Sequence, residues 1–295
     1  MRRENARSDA GRRGARSGRR APPVAEVTPA QGAGLGTFGG VFTPSILTIL
    51  GVIMYLRFGW VVGSVGLAGT LLIVTLSTSI TFLTSLSISE IATDQRVRVG
   101  GAYYMISRSL GIETGGAVGL PLYFAQALSV ALYTVGFAES VVRVFPSLDA
   151  RLVGLATTVL VAAVALRSAR AAIRTQYVIM GAIALSLASF ALGHPVAAEL
   201  PAAARLNPPA RAGFWTVFAV FFPAVTGIMA GVSMSGDLKR PGRSIPRGTF
   251  AAVLVGYAVY MALPLLLSAR ATPEALLEDP LIMRRMAVWG DAILL

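Results

Sequence analysis

Long stretches without charged residues constrain this sequence more than any other feature. There are seven such stretches without Asp, Glu, Lys or Arg, and they lie at residues 38–56, 58–89, 114–138, 152–166, 175–193, 212–236 and 248–269. A helix needs about 20 mostly apolar residues to cross the hydrocarbon core of a bilayer. Because lipid offers no partner to an unpaired backbone group, an apolar stretch of this length is expected to be helical. The pattern predicts an all-α membrane protein.

Two of these stretches do not have the length of a single span. The stretch at 58–89 is too long, so we expect the first span to continue through Arg57 to about Val62. A glycine-containing turn at 63–69 and one further span would follow. The stretch at 152–166 is short, but charged residues at its ends can extend toward the interface and let it span. The prediction is therefore about seven spans, in contact with the lipid bilayer.

The composition excludes several classes of function. Only 14% of the residues are charged, whereas soluble domains have about a quarter. The sequence has no cysteine, so disulfides and thiolate metal sites are excluded, and its single histidine, His194, falls in a predicted loop. Neither facing carboxylates within the spans nor a phosphate-binding loop occurs. We therefore expect no enzymatic activity, no cofactor and no resident metal.

The basic residues are distributed unevenly between the two sides of the predicted spans. Of the 26 Lys and Arg residues, 18 fall on the side of the N-terminal tail. Cytoplasmic loops of membrane proteins carry such an excess, so the N-terminus is predicted to be cytoplasmic. The net charge of +12 then reflects topology. A nucleic-acid partner is not expected, because the basic residues are not interleaved with aromatic residues on one soluble face.

Helix-breaking residues interrupt two of the predicted spans. The sixth contains "FFPAVTGIMAGVSMSGDL" (221–238), and the first contains "VFTPSILTILGVIMYLRFGW" (41–60). Interrupted helices at matching positions of two halves indicate a transporter site near the bilayer midplane. The C-terminal ends of half-helices present carbonyls to cations, and their N-terminal ends present amides to anions. The alternative, that Pro and Gly only allow kinks or close packing, is about equally compatible with this spacing.

Four segments resemble the cation-chloride cotransporters of the amino acid-polyamine-organocation superfamily. They are "LTILGVIMYLRFGWVVGSVG" (47–66), "GGAYYMISRSLG" (100–111), "LYTVGFAESVV" (132–142) and "FFPAVTGIMAGVSMSGDLKRPGRSIPRGT" (221–249). The resemblance covers roughly residues 36–268. It implies the LeuT-type inverted-repeat fold, in which spans one to five form the first repeat and spans six and seven begin the second. The fold is then incomplete, and family members form homodimers.

The resemblance divides the chain into three regions. Residues 1–36 are expected to be a disordered, basic, cytosolic tail, because they are rich in Arg, Gly and Pro. Residues 37–270 would be the transmembrane transporter region. Residues 271–295 would start an extracellular segment, at which the chain is expected to be truncated relative to the family.

The resemblance also assigns ion sites to residues at the two breaks. For potassium it implies the carbonyls of Thr48, Ile49 and Pro223 and the hydroxyls of Tyr133 and Thr226. For chloride it implies the amides of Gly51, Val52 and Ile53 and, at a second site, those of Gly227, Ile228 and Met229. The family usually has Asn where this chain has Thr48, which leaves a backbone ligand unchanged. Sodium, if transported, would use the carbonyls of Leu47 and Leu50.

Two ionisable residues lie inside predicted spans, where an unpaired charge is costly. They are Arg57 and Glu139. In the resembling family the matching pair closes the extracellular gate, so we expect an ion pair that opens when ions are released outward. A purely structural ion pair is the alternative interpretation.

The function that the resemblance implies is secondary active cotransport of potassium and chloride across the plasma membrane by alternating access. Whether sodium accompanies them stays open, because the residues that decide it fall outside this chain. Two alternatives remain at this point. One is an amino acid or polyamine permease of the same superfamily, and the other is a truncated membrane subunit that transports nothing itself.

Overall fold

A computed structural model describes residues 34–94, 100–167, 169–196 and 212–289, without the side chains of 168–172. A π-helical turn, Phe38–Phe42, opens this part of the chain. The α-helices are α1 (Thr43–Ile49), α2 (Val52–Asp94), α3 (Gly101–Leu110), α4 (Ile112–Val144), α5 (Ala150–Arg167), α6 (Ala169–Ala191), α7 (Phe214–Phe221), α8 (Met229–Ser233), α9 (Pro241–Arg270), α10 (Pro273–Glu278) and α11 (Ile282–Met286). The predicted tail at 1–36 lies almost wholly outside the described residues.

Within the described residues, six helical stretches are long and apolar enough to cross a membrane, by length and composition. They are Phe38–Asp94, Ile112–Val144, Ala150–Arg167, Ile173–Ala191, Phe214–Ser233 and Pro241–Arg270. The described ranges contain no β-strand beyond one isolated bridge. The predicted fold class, an all-α membrane protein, is confirmed. The chain is an integral, multi-pass membrane protein.

The first of these stretches has 57 residues, which would measure about 85 Å as one helix, far more than a bilayer core. It is interrupted at Gly66, where φ is 69° and ψ is −177°. Gly66 divides α2 into two arms. Before Gly66, α1 and the first arm of α2 run beside α9 in the same direction. Gly256 leaves room for Ile49, since an added Cβ would come 2.7 Å from its Cγ2, and Tyr260 contacts Phe58 with ring centroids 5.3 Å apart.

After Gly66, α2 runs beside α9 in the opposite direction. An added Cβ on Gly242 would come 3.0 Å from the carbonyl oxygen of Ala92. Further along α9, the hydroxyl of Tyr257 lies 3.2 Å from that of Thr75. The two arms of α2 are therefore antiparallel to each other, with the turn inside the region 63–69 where the sequence predicts it. The number of spans, seven, stays a prediction.

The core of the described bundle is formed by the first arm of α2, α7 and α9. Its largest fully buried side chains include Met54, Phe58, Phe221 and Tyr260. By contrast, α5 buries none of its side chains and α4 buries only Gly115, Gly136 and Ala138. The broken helices and α9 therefore pack together, while α4 touches this core mainly where Gly136 meets Val52.

A short backbone bridge joins the chain before the first span to the chain after the sixth. Leu35 donates its amide to the carbonyl of Asp237 at 2.7 Å, and Lys239 donates to the carbonyl of Leu35 at 3.0 Å. The side chain of Leu238 is buried in a small cluster with Val41. This bridge holds the start of the first broken span beside the end of the sixth.

Candidate functional site

The first helix interruption is short. Helix α1 ends at Ile49, and the next residue, Leu50, leaves the helical region with φ −88° and ψ 42°. Gly51 forms a bend, and α2 begins at Val52. The amide of Leu50 still donates to the carbonyl of Ile46 at 2.8 Å, so the last turn of α1 is intact. Two residues outside the helices, Leu50 and Gly51, therefore divide the span into two half-helices.

The backbone amides at this interruption have no acceptor among the described residues. They belong to Gly51, Val52 and Ile53, and the next amide along the chain, that of Met54, donates to the carbonyl of Gly51 at 3.1 Å. Such free amides occur in the first turn of every helix, and the positive end of the helix dipole lies there as well. The start of α2 can therefore receive an anion, as the sequence predicts for chloride.

The second interruption is longer. Helix α7 ends at Phe221, a 3₁₀ turn occupies Phe222–Val225, and Thr226 is extended with φ −77° and ψ −178°. Gly227 follows with φ +103°, a backbone conformation that residues other than glycine rarely adopt. Pro223 has no amide hydrogen and favours the turn. The sequence of this stretch is therefore itself incompatible with a continuous helix.

The amides after this second interruption are also without acceptors in the part of the chain that the structure describes. They are those of Gly227, Ile228 and Met229, whereas Ala230 donates to the carbonyl of Gly227 at 3.0 Å. The following helix, α8, has only 5 residues, so its dipole is weaker than that of α2. The predicted second chloride site thus depends on the amides themselves more than on the helix behind them.

The two interruptions touch each other. The hydroxyl oxygen of Thr48 lies 3.0 Å from the carbonyl oxygen of Gly227, and an added Cβ on Gly227 would come 2.5 Å from that hydroxyl. One turn earlier, the hydroxyl of Ser45 lies 3.4 Å from the carbonyl oxygen of Ile228. The fold therefore brings carbonyls, and amides that have no acceptor among the described residues, from two distant parts of the sequence into one region.

The predicted potassium ligands fall into two groups in the structure. Thr48 and Tyr133 both lie near Gly51, since an added Cβ there would be 3.2 Å from the Thr48 carbonyl and 3.7 Å from the Tyr133 ring. On the second break, the hydroxyl of Thr226 donates to the carbonyl of Pro223 at 2.8 Å. The two groups are brought toward each other by the contact between Thr48 and Gly227.

The residues predicted for sodium flank the first interruption. The carbonyl oxygen of Leu47 lies 3.5 Å from the position of an added Cβ on Gly51, and the side chain of Leu50 is buried. Leu50 is also the residue at which the backbone leaves the helical region. A sodium site here stays a prediction.

One residue near these ligands was not predicted from the sequence. The hydroxyl of Tyr260, on α9, donates to the carbonyl oxygen of Ile49 at 2.7 Å in a fully buried setting. A tyrosine in the middle of an apolar span indicates a buried hydrogen bond, because its hydroxyl needs a partner where there is no water. The sequence could not show which partner, since the two residues are 211 positions apart.

The predicted gate residues lie together. The Nη2 atom of Arg57 is 3.5 Å from the Oε2 atom of Glu139, with 47% and 29% of the two side chains exposed. The other carboxylate oxygen of Glu139 lies 2.8 Å from the Nη2 atom of Arg143, one turn along α4. Arg143 was not predicted from the sequence, although its spacing of four residues from Glu139 is typical of a helical ion pair. The gating role itself stays a prediction.

Comparison with known proteins gives the family. The family model described as "Amino acid permease" matches residues 40–276. The chain belongs to the amino acid permease family. Among curated proteins it is similar to human solute carrier family 12 member 1, at 37% identity over 82% of this chain and 25% of the relative. It is also similar to mouse solute carrier family 12 member 2, at 37% identity over 79% of this chain and 22% of the relative. Its identity with mouse member 3 is 36%, over 81% of this chain and 26% of the relative.

These relatives are cation-chloride cotransporters, so the resemblance found in the sequence is confirmed. The matches cover most of this permease-family chain, but the chain spans only about a quarter of the length of the curated relatives. Both breaks lie within residues 40–276, the part of the chain that the family model matches.

Proposed function

We propose that this protein takes part in the cotransport of potassium and chloride across the plasma membrane by alternating access. One observation carries the proposal: two interrupted helices meet at Thr48 and Gly227, and each exposes unpaired amides beside the carbonyls of a half-helix end. Unpaired backbone groups are tolerated at membrane depth only where protein, water or a ligand satisfies them. Alternating half-helix ends suit a cation and an anion together.

The proposed topology follows from the same features. The proposed topology has seven spans, with the chain doubling back at Gly66, and the distribution of basic residues favours a cytoplasmic N-terminal tail. Spans one to five then form the first LeuT-type repeat, and spans six and seven begin the second. A homodimer is part of the proposal, as in the family that the sequence resembles.

For the cation we propose a set of neutral oxygens. It consists of the carbonyls of Thr48, Ile49 and Pro223 and the hydroxyls of Tyr133 and Thr226. Potassium gives up its water readily to a cage of carbonyl and hydroxyl oxygens that replaces its hydration shell. The hydrogen bond from Thr226 to Pro223 leaves lone pairs on both oxygens. It also fixes their spacing.

For the anion we propose the amides of Gly51, Val52 and Ile53 and, at a second site, those of Gly227, Ile228 and Met229. A chloride ion beside a potassium ion lowers the cost of dehydrating each, because opposite charges attract strongly where the dielectric constant is low. Transport of one ion would then require the other. This is the physical basis for electroneutral coupling.

The ion pair of Arg57 with Glu139 is proposed as the extracellular gate. Both side chains are partly exposed, and the carboxylate has a second partner in Arg143. Glu139 therefore keeps a neutralising partner when Arg57 moves away. An opening motion that separates Arg57 from Glu139 would leave only the guanidinium to be solvated. Sodium, if it is transported, would use the carbonyls of Leu47 and Leu50.

Rubidium uptake tests the proposed function directly. Proteoliposomes containing the purified protein are loaded with chloride-free buffer, and uptake of rubidium, a potassium surrogate, is measured with external chloride or with gluconate. We expect uptake only with chloride, and a large loss of uptake in Tyr133→Phe, because one cation ligand is removed. Tyr123→Phe, an exposed tyrosine on the same helix, is the control. Rubidium uptake that is indifferent to chloride would contradict the proposal.

A second candidate function is transport of an amino acid or a polyamine. The match of residues 40–276 to the amino acid permease family favours it, and the free amides at Gly51 could receive a substrate carboxylate. Competition separates the two candidates, since a mixture of amino acids would inhibit uptake by a permease and leave chloride-dependent rubidium uptake unchanged. A chain that transports neither, but co-purifies with a longer transporter, would support the third alternative, a non-transporting subunit.

A further inference from the structure

We propose that the hydroxyl of Tyr260 positions the carbonyl of Ile49 as a ligand for the transported cation, an inference that rests on the proposed function. Tyr260 lies on α9, far from both interruptions in the sequence, and is fully buried. Its hydroxyl donates to the Ile49 carbonyl oxygen at 2.7 Å. It is thus a side chain from outside the two broken spans that holds a backbone group of the first break.

The carbonyl of Ile49 needs such a partner because the helix ends there. In a continuous helix it would accept from the amide of Ile53, but Leu50 leaves the helical region and α2 begins anew at Val52. Carbonyls in the last turn of a helix have no partner within it. Ile49 is buried, and leaving a buried carbonyl without a hydrogen bond is costly.

Tyr260 satisfies only part of the capacity of this carbonyl. A carbonyl oxygen has two lone pairs, and one phenolic hydroxyl uses one of them. The second remains available for a cation at the break. The hydrogen bond therefore fixes the direction of the carbonyl without occupying it, which is what a preorganised ligand requires.

The ring of Tyr260 is itself held by both broken spans. Its centroid lies 5.3 Å from that of Phe58, on the first arm of α2, and 5.2 Å from that of Phe221, the last residue of α7. Both contacts are edge-to-face, with interplanar angles of 60° and 89°. Edge-to-face pairs of buried rings are favourable and restrict rotation. The position of the hydroxyl is consequently determined by the same helices that form the site.

This geometry separates the roles of the two tyrosines. Tyr133 is proposed as a direct ligand, whereas Tyr260 acts on the cation only through Ile49. A dehydrated potassium ion requires several oxygens at fixed distances. If one carbonyl is free to turn, part of the binding energy is lost in ordering it. Removal of the hydroxyl should therefore weaken cation binding while leaving the rate of the transport cycle at saturation almost unchanged.

The test compares rubidium uptake by wild type, Tyr260→Phe and Tyr257→Phe in two series, one with rubidium varied at saturating chloride and one with chloride varied at saturating rubidium. Tyr260→Phe keeps both ring contacts and removes only the hydroxyl, so we expect a folded protein. The half-saturation concentration for rubidium should rise about three- to tenfold, which corresponds to one hydrogen bond, with little change in the maximal rate or in the half-saturation concentration for chloride. Tyr257→Phe is the matched control, one turn away on α9, with its hydroxyl directed to Thr75, and should behave as wild type.

The outcomes are distinct. An unchanged half-saturation concentration for rubidium in Tyr260→Phe would overturn the proposal, and so would a decrease, which would mean that the hydroxyl competes with the cation. If this variant does not fold, Phe221→Leu decides, because it loosens the ring but keeps the hydroxyl. A smaller rise in that variant would support the proposal, and no change would overturn it. Wild-type protein without chloride-dependent uptake would instead overturn the proposed function, and this inference with it.

Discussion

The two helix interruptions of this protein reach a similar arrangement of free amides and carbonyls by different means. At the first, Leu50 leaves the helical region and Gly51 forms a bend, and neither residue is in the left-handed region. The second uses a 3₁₀ turn, an extended Thr226 and a Gly227 at φ +103°. The conformation of the second break is determined by the backbone preferences of its own residues. The first break depends on a hydrogen bond from another span, which Tyr260 donates to the carbonyl of Ile49. The first should therefore tolerate local substitution better than the second.

The largest expected effect is that of Gly227→Ala. A side chain at this φ costs about 1–3 kcal/mol, and its Cβ would come 2.5 Å from the Thr48 hydroxyl. We expect the unfolding midpoint in detergent to fall by roughly 5–10 °C, with loss of rubidium uptake, as measured by a thermal-stability assay and by proteoliposomes. Gly181→Ala, on α6, is the control, because an added Cβ there meets nothing within 4 Å. A midpoint equal to that of wild type would show that the second break is not fixed by its own residues.

Thr48→Val is expected to have an intermediate effect. Valine keeps the branched shape but removes the hydroxyl, which lies 3.0 Å from the Gly227 carbonyl oxygen on the other break and 2.8 Å from the Ser45 carbonyl oxygen of its own helix. One interhelical hydrogen bond in a membrane protein contributes about 0.6 kcal/mol, so we expect the midpoint to fall by roughly 2 °C. Thr134→Val is the control, since its hydroxyl bonds to its own helix at Val130 and is exposed. Equal midpoints in the two variants would argue that the breaks are not joined through Thr48.

Gly51→Ala should change stability less than Gly227→Ala, although both glycines lie at a break. Gly51 is not in the left-handed region, and an added Cβ would come 3.2 Å from the Thr48 carbonyl, a contact that a small shift relieves. We expect a midpoint within about 1–2 °C of wild type. The half-saturation concentration for chloride should nevertheless rise severalfold, because the methyl group stands beside the proposed anion site. Instability as large as that of Gly227→Ala would remove the distinction between the two breaks.

Thr226→Val should have the smallest effect on stability. The hydroxyl bonds only to Pro223, three residues earlier in the same break, and the pair is exposed. We expect a midpoint within about 1 °C of wild type, as for most exposed positions, and a higher half-saturation concentration for rubidium, because a proposed ligand is lost. An unchanged rubidium dependence would place the cation nearer to the first break than to the second.

Much of the membrane architecture could be predicted from the sequence, because it follows from local properties. The apolar stretches indicate helices, and the glycines at 63–69 indicate the turn that the structure places at Gly66. Pro223 and Gly227 indicate the second break for the same reason: their backbone preferences are the same in any context. The first break was predicted from Pro44 and Gly51, which bracket Thr48, although Leu50, the residue that leaves the helical region, carries no such preference.

By itself, the sequence predicted an all-α membrane protein with two interrupted helices and a resemblance to the cation-chloride cotransporters. The tertiary structure alone decided which groups meet at those interruptions. Tyr260 reaches Ile49 across 211 positions, and Leu35 pairs with Leu238. The second partner of Glu139, Arg143, follows from helical spacing, but its pairing with Arg57 requires α4 to lie beside α2. The physical reason is that backbone preferences act locally, whereas these contacts depend on how separate helices align when they pack.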